Sequence, residues 1–211
     1  MLLYGSKMAP NSDRVEMYLH EKGVEIPFRQ IELMKGEHHA EEYKSIAPNR
    51  KVPALVLDDG TVIRESIAIC RYIEELHPQP PLFGATPVQR AQVEMYQRIM
   101  ELELMMPIAM TFRHGHPAAK ALEPIQVNDF AELQRTVALK RIKVLNKELA
   151  DREFLLGDDF TVADITAYIG LGFGRISKIA PDEQEHPHVV RYLKTIAARP
   201  SAQALRAGAG A

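Results

Sequence analysis

At 211 residues, with 46% hydrophobic and 26% charged residues, the chain has an ordinary globular composition and room for one large domain or two small ones. A formal net charge of −2 supplies no basic field, which argues against nucleic acid or an anionic membrane surface as partner. The lone cysteine, Cys70, excludes an internal disulfide framework and a Cys-x-x-Cys redox pair. No apolar stretch is long enough to read as a membrane span, and MLLYGSKM lacks the layout of a signal peptide, so the cytoplasm is the expected location.

Met1 to Tyr4 is a short apolar run ended by Gly5, which predicts a buried first strand. Ser6 to Ser12 carries loop punctuation. Val15, Met17, Tyr18 and Leu19 give helical spacing between Asp13 and Lys22, and Gly23 supplies the stop. Ile26, Phe28, Ile31 and Leu33 alternate with polar residues and predict a second strand. Gly36 to Ala47 is polar apart from Tyr43 and Ile46 and reads as a short exposed helix.

The segment Asn49 to Ile73, NRKVPALVLDDGTVIRESIAICRYI, then holds an apolar run entered through Val52-Pro53 and a turn at Asp58-Asp59-Gly60. A second run, Thr61-Val62-Ile63, follows, and a helix starts near Ser66 and continues to Leu76. A proline entering a strand gives up its ladder donor and is compatible with a cis bond, leaving the Val52 backbone free to pair with an extended ligand. Ser66 falls where a helix begins, among unpaired N–H groups and the positive end of the macrodipole. Together these positions suit a small peptide carrying a carboxylate.

His77-Pro78-Gln79-Pro80-Pro81 has linker composition, and beyond it the pattern becomes helical throughout. The expected organisation is an α/β domain over residues 1–78, a linker over 79–85 and an all-helical domain over 86–211. Val88, Ala91, Met95, Ile99, Leu102 and Met106 form one stripe of a long helix from Thr86 to Phe112, with a kink expected at Pro107. Phe130, Leu133, Val137, Val144 and Leu149 mark one side of a second, from Ile125 to Leu149. Thr161 and Asp164 have capping-box spacing, and Phe160 and Ile165 the spacing of a hydrophobic staple. His188 to Ala198 is a further amphipathic helix, and the tail after Leu205 is expected to fray.

These motifs resemble the soluble glutathione S-transferases over essentially the whole chain. Lys51-Val52-Pro53-Ala54-Leu55 is similar to the family's strand with a cis-proline. Arg64-Glu65-Ser66-Ile67-Ala68-Ile69 is similar to its acidic-Ser helix start, and Gly157 to Ile165 to the capping box and staple of its helical domain. The resemblance implies a thioredoxin-like N-terminal domain that binds glutathione as co-substrate, followed by a helical domain that supplies most of the pocket for a small hydrophobic electrophile. By that resemblance the Val52 backbone pairs with the cysteinyl unit as an added strand, beside Pro53. Ser66 and the helix start suit the γ-glutamyl carboxylate, and Glu65 its ammonium. The glycyl carboxylate needs a cation: Lys51, Arg50 and His38 are candidates. His38 lies in KGEHH, similar to the corresponding loop of insect and theta-like classes. Each of these three also has a plain reading as a solvated loop residue.

The resemblance breaks at the thiol activator. In the Ser-type pattern the serine falls at Ala9, which cannot donate, and no cysteine lies in the loop. The remaining donors are Asn11, Ser12, Ser6 and Tyr4. Ala9-Pro10-Asn11 is similar to the Thr-Pro-Asn loop of nu-type bacterial members, which favours Asn11, then Ser12, as catalytic residues. Both also suit capping of the helix near Asp13, and Tyr4 suits packing within the first strand. Met106 and Met110 are expected in the co-substrate pocket, with Arg113 able to steer an anionic co-substrate. His114-Gly115-His116 and His186-Pro187-His188 lack further ligands, so no metal is expected; Cys70 reads as a buried structural thiol. The functional expectation is glutathione transfer within a homodimer. Glutathione-dependent disulfide or peroxide reduction, and a non-catalytic interaction module, are the alternatives.

Overall fold

The computed structural model describes residues 1–209. The chain forms two compact units: Met1–Pro81 together with the segment from Arg199, and Leu82–Ala198.

The first unit is a mixed four-stranded sheet in the order β2-β1-β3-β4, with β1 at Leu2–Gly5, β2 at Phe28–Gln30, β3 at Ala54–Val56 and β4 at Val62–Arg64. β1 runs parallel to β2 and antiparallel to β3, and the β3–β4 pair is the hairpin around Gly60. Its helices are α1 (Pro10–Lys22), α2 (Glu41–Ile46) and α3 (Ser66–Leu76). This is the thioredoxin-like arrangement expected from the motifs. The period-2 pattern of the strands divides the core. Tyr4, Ala54 and Val62 share the face that packs with Tyr43 of α2, while Leu3 and Leu55, paired in register, take the opposite face. Gly23 ends α1 at φ 62°, a left-handed conformation that glycine adopts without a Cβ penalty, and the Val24 N–H returns to the Leu19 carbonyl.

The described residues after Ala198, counted with the helical domain in the sequence, lie elsewhere. The last helix, α9 (Pro200–Ala209), packs along α1 within the first unit. Arg199 makes two 2.8 Å bonds to the Glu21 carboxylate, Ser201 donates to the same group, and the Lys7 ammonium donates to the Gly208 carbonyl at 2.9 Å. Fraying was expected after Leu205, yet the helix continues to Ala209; residues 210–211 lie outside the described residues. The expectation rested on Ala/Gly content and could not register a tertiary partner.

The second unit holds α4 (Pro87–Ile99), a π-helical stretch Met100–Met105, α5 (Met106–Gly115), α6 (Asn128–Glu148), α7 (Val162–Gly174) and α8 (Pro187–Ala197). Pro107 has no N–H to give to the preceding turn. The chain accommodates it upstream by widening, with the Met106 N–H bonded to the Glu101 carbonyl five residues back. α7 lies close to this stretch at Gly170, where an added Cβ would stand 3.3 Å from the Met105 Cβ.

The helices lie where the periodicity put them, but two faces point the other way. On α4 and its continuation, Val88, Met95, Leu102 and Met106 are exposed, whereas Val93, Gln97, Met100, Leu104 and Ile108 are buried. On α6, Phe130, Leu133, Val137 and Val144 are exposed, and Ala131, Ala138, Arg141, Ile142 and Leu145 are buried. The buried faces look less apolar because each carries a polar residue with an internal partner. The Thr166 hydroxyl donates to Gln97 Oε1 at 2.7 Å, and Arg141 is paired with Glu148.

Candidate glutathione site

The β1–α1 connection is fastened by its own side chains. The Ser6 N–H donates to Ser12 Oγ at 3.0 Å, and the Met8 N–H donates to Asp13 Oδ1 at 3.0 Å, with Met8 held at φ 67°. Burial first, and then the charge of Glu16, push the Asp13 carboxyl up to about 7, against the lowering effect of the Met8 N–H. Ser12 is fully buried. Its hydroxyl oxygen accepts the Ser6 N–H and so closes the loop, rather than capping α1, whose N-cap is Ala9.

Asn11 is exposed, and its Oδ1 accepts from the buried Arg14 guanidinium at 2.5 Å. A guanidinium only donates, so the amide oxygen must be the atom facing Arg14. The Asn11 NH₂ group is thereby turned away from Arg14.

The Val52-Pro53 bond is cis, and Ala54 then enters β3. Ahead of it, Asn49 Oδ1 accepts from the Lys51 N–H at 3.3 Å, and the Tyr43 hydroxyl donates to the Lys51 carbonyl at 2.7 Å. Across the hairpin, Glu65 takes φ 70°, a left-handed conformation costly for a non-glycine residue, and Ser66 opens α3. Neither Ala9 before α1 nor Glu65 before α3 caps its helix with a side-chain hydrogen bond. Pro10 opens α1 without an N–H and the Ser12 N–H returns to the Ala9 carbonyl at 2.9 Å, so the α1 start presents the Asn11 N–H, whereas α3 presents the N–H groups of its first turn; both starts carry positive potential.

These segments meet in a shallow recess open to solvent and lined by Asn11, Asn49, Lys51, Val52, Pro53, Glu65 and Ser66. Six of these seven residues are sequence-derived candidates; Asn49 is not, although its Asn-x-Lys turn is a local signal that could have found it. The recess combines a cation, a carboxylate, a hydroxyl, an amide and a strand-entry backbone. That set suits a small zwitterionic peptide.

Other candidates fall outside this lining. Ser12 is in the interior. Arg50 is exposed at φ 54° in the loop before Lys51. His38 is buried beside His39, with ring centroids 3.9 Å apart. Burial, then the positive charges of His39 and Arg50, hold its imidazole below the ordinary value. Tyr4 packs in β1, with its ring 6.2 Å from that of Tyr43 and the Arg29 guanidinium over it at 5.6 Å. Met106, Met110 and Arg113 belong to α5 in the second unit: Met106 is exposed, Met110 half-buried. Arg113 is 3.6 Å from the Glu123 carboxylate and donates to the Leu122 carbonyl at 3.4 Å.

The two histidine pairs have local structural roles. His114 and His116 accept backbone N–H groups from Val127 and Ala118, at 3.3 and 3.2 Å, and His186 accepts from Asp182 at 3.2 Å. Among the described residues, no three His, Cys, Asp or Glu side chains gather into a metal-binding set, and no helix is long and apolar enough to cross a membrane. Cys70 is fully buried, and burial pushes its thiol up to about 12.

A thioredoxin-like unit with a cis-proline strand and a serine helix start, joined to a helical unit, defines the architecture of glutathione S-transferases. Residues 3–81 match the glutathione S-transferase N-terminal domain family, and residues 104–200 match the C-terminal domain family. Glutathione S-transferase 2 of Saccharomyces cerevisiae is 35% identical over 97% of this chain and 89% of its own length. The crystal structure of Gtt2 from Saccharomyces cerevisiae superposes with a TM-score of 0.91 at 34% identity, covering 97% of this chain and 100% of that one. A glutathione S-transferase domain-containing protein from Marinobacter aquaeolei gives 0.90 at 37%, covering 96% and 100%. The chain belongs to the glutathione S-transferase family of enzymes.

Proposed function

We propose that the recess binds glutathione and that the protein ionises its thiol for attack on a small hydrophobic electrophile. The observation that carries this reading is the convergence of Asn11, Lys51, Val52, Pro53, Glu65 and Ser66 on one recess between two helix starts that lack side-chain caps. In this reading the γ-glutamyl carboxylate takes the Ser66 hydroxyl and the α3 N–H groups, Glu65 faces its ammonium, and the cysteinyl backbone pairs with Val52. Lys51 is the cation for the glycyl carboxylate, with Arg50 and His38 in the loops alongside.

An ordinary cysteine thiol, with a pKa of about 8.5, is only a few per cent ionised at neutral pH. The Asn11 NH₂ group and the positive end of α1 both favour the thiolate over the thiol. The proton leaves to solvent; the sulfur lone pair then forms the new bond to the electrophilic carbon while the leaving group departs with its electron pair. Of the two catalytic candidates, the accessible Asn11 is favoured over the buried Ser12. Met106, Met110 and Arg113 remain candidates for the co-substrate pocket.

Retention on immobilised glutathione, followed by turnover of chlorodinitrobenzene, tests the transferase reading; turnover confined to a disulfide substrate would replace it with the reductase one. Loss of both retention and turnover would leave an interaction module. Asn11→Ala should raise the pH at which bound glutathione ionises by about one unit, the worth of one charge-assisted hydrogen bond. An unchanged thiolate absorbance titration removes Asn11 from the role.

A homodimer is part of the same reading. It is supported by the exposed apolar side chains of α4, its π-helical continuation, α5 and α6, among them Leu133, 58% exposed, and Leu102, 50% exposed. A monomeric mass at micromolar concentration would remove it.

A further inference from the structure

Tyr43 is anomalous in α2. Apart from Ile46 the rest of the helix is polar and largely exposed, yet this side chain is 3% exposed and packs with Ile31, Ala47 and Ala54. Its hydroxyl is not idle, since it donates to the Lys51 carbonyl at 2.7 Å.

That carbonyl belongs to the peptide unit that also carries the Val52 N–H. The cis bonds among the described residues are Val52-Pro53 and Gln79-Pro80, so the Lys51–Val52 unit is trans. In a trans peptide the C=O and N–H lie in one plane and point in opposite directions. Holding the Lys51 carbonyl against the buried Tyr43 hydroxyl therefore turns the Val52 N–H away from the interior, and Val52 lines the recess. The peptide unit on the other side of Lys51 is held as well, through its N–H to Asn49 Oδ1 at 3.3 Å. No strand hydrogen bonds reach this loop, because β3 begins only at Ala54.

We propose that Tyr43 is a positioning residue: through the Lys51 carbonyl it aims the Val52 N–H at the backbone of the bound peptide. The inference rests on the glutathione reading and deepens it, assigning the orientation of the strand-like contact to a side chain that never touches the ligand. Burial pushes the Tyr43 hydroxyl up to about 12, so it stays a donor through the neutral range.

Tyr43→Phe tests this, since it keeps the ring in its apolar surroundings and removes only the oxygen. Calorimetric titration of the full chain with glutathione, and separately with S-methylglutathione, should show affinity weakened about three- to tenfold for both ligands, the range expected for one misdirected hydrogen bond. The pH at which bound glutathione ionises should stay where it is in the unaltered protein, because the thiol is handled from α1. Thermal unfolding of the same samples confirms that the variant is folded. Affinities within twofold of the unaltered chain, or a shifted thiol ionisation, overturn the role of Tyr43 alone. Failure of the unaltered chain to bind either ligand overturns the glutathione reading and this inference with it.

Discussion

The starts of α1 and α3 in the first unit and those of α4 and α7 in the second are built on opposite principles. In the second unit, α4 and α7 are closed by their own chain. Thr86 Oγ1 accepts from the Gln89 N–H at 3.2 Å, and Gln89 Oε1 accepts from the Thr86 N–H at 3.3 Å. Asp164, fully buried in the first turn of α7, takes the Thr161 N–H and hydroxyl, the Leu155 N–H and the Tyr192 hydroxyl, each at 2.9 Å. In the first unit, α1 follows Ala9 and α3 follows Glu65, and neither residue caps. A start closed by the chain contributes stability; a start left open keeps donors and positive potential for an anion. In the proposed reading, the ligand supplies at α1 and α3 what the sequence omits.

The largest effect is expected where the chain closes itself. Asp164→Ala leaves buried donors without an acceptor and should lower stability by roughly 3–5 kcal/mol. Urea unfolding would measure it, and a loss below about 1 kcal/mol would refute the structural role. Burial, opposed by its four hydrogen bonds, pushes the Asp164 carboxyl up from 3.8 to about 6. A folded-state value above the unfolded one means that the ionisation-linked part of its contribution is complete below 3.8 and declines as pH rises through 6. The gap between unaltered and variant protein should accordingly narrow across that window.

At the open starts the sign of the effect divides. Ser66→Ala should cost about tenfold in glutathione affinity while changing stability by less than about 0.5 kcal/mol, because the hydroxyl serves the ligand more than the fold. Equal losses in binding and in unfolding free energy would erase the contrast with Asp164. The smallest and most diagnostic change is Ala9→Asp, which supplies the missing cap of α1. It should stabilise the fold by about 1 kcal/mol and, by placing a carboxylate at the same donors, raise the pH at which bound glutathione ionises. A cap that stabilises without disturbing the thiol would show that the α1 start does not serve the ligand.

Much of the recess was legible because its signals are local. Val52-Pro53 announces a strand entry, and Glu65-Ser66 a helix start, whatever surrounds them. The capping box at Thr161 and Asp164 is local too, and its carboxylate bonds as expected. What could not be read was anything decided by a distant partner. Gln97, outside the apolar stripe, is buried against Thr166, whereas Leu102, on that stripe, is exposed. Ser12 carried a hydroxyl in the right loop, but Ser6 had already claimed its oxygen. Tyr43 gave no local sign that its hydroxyl would hold the Lys51 carbonyl eight residues on. Period and punctuation reveal that a helix exists and where it starts; which face turns inward is settled by the neighbour it meets.

The clasp between α9 and α1 has a consequence for how the protein is made. The strands and first three helices of the first unit leave the ribosome before the second unit, yet Glu21 and Lys7 receive their partners from Arg199, Ser201 and Gly208 only after the second unit has been made. The thioredoxin-like unit is therefore completed by a segment synthesised after the whole of its neighbour, and the emerging chain carries an unfinished first unit through the synthesis of the second.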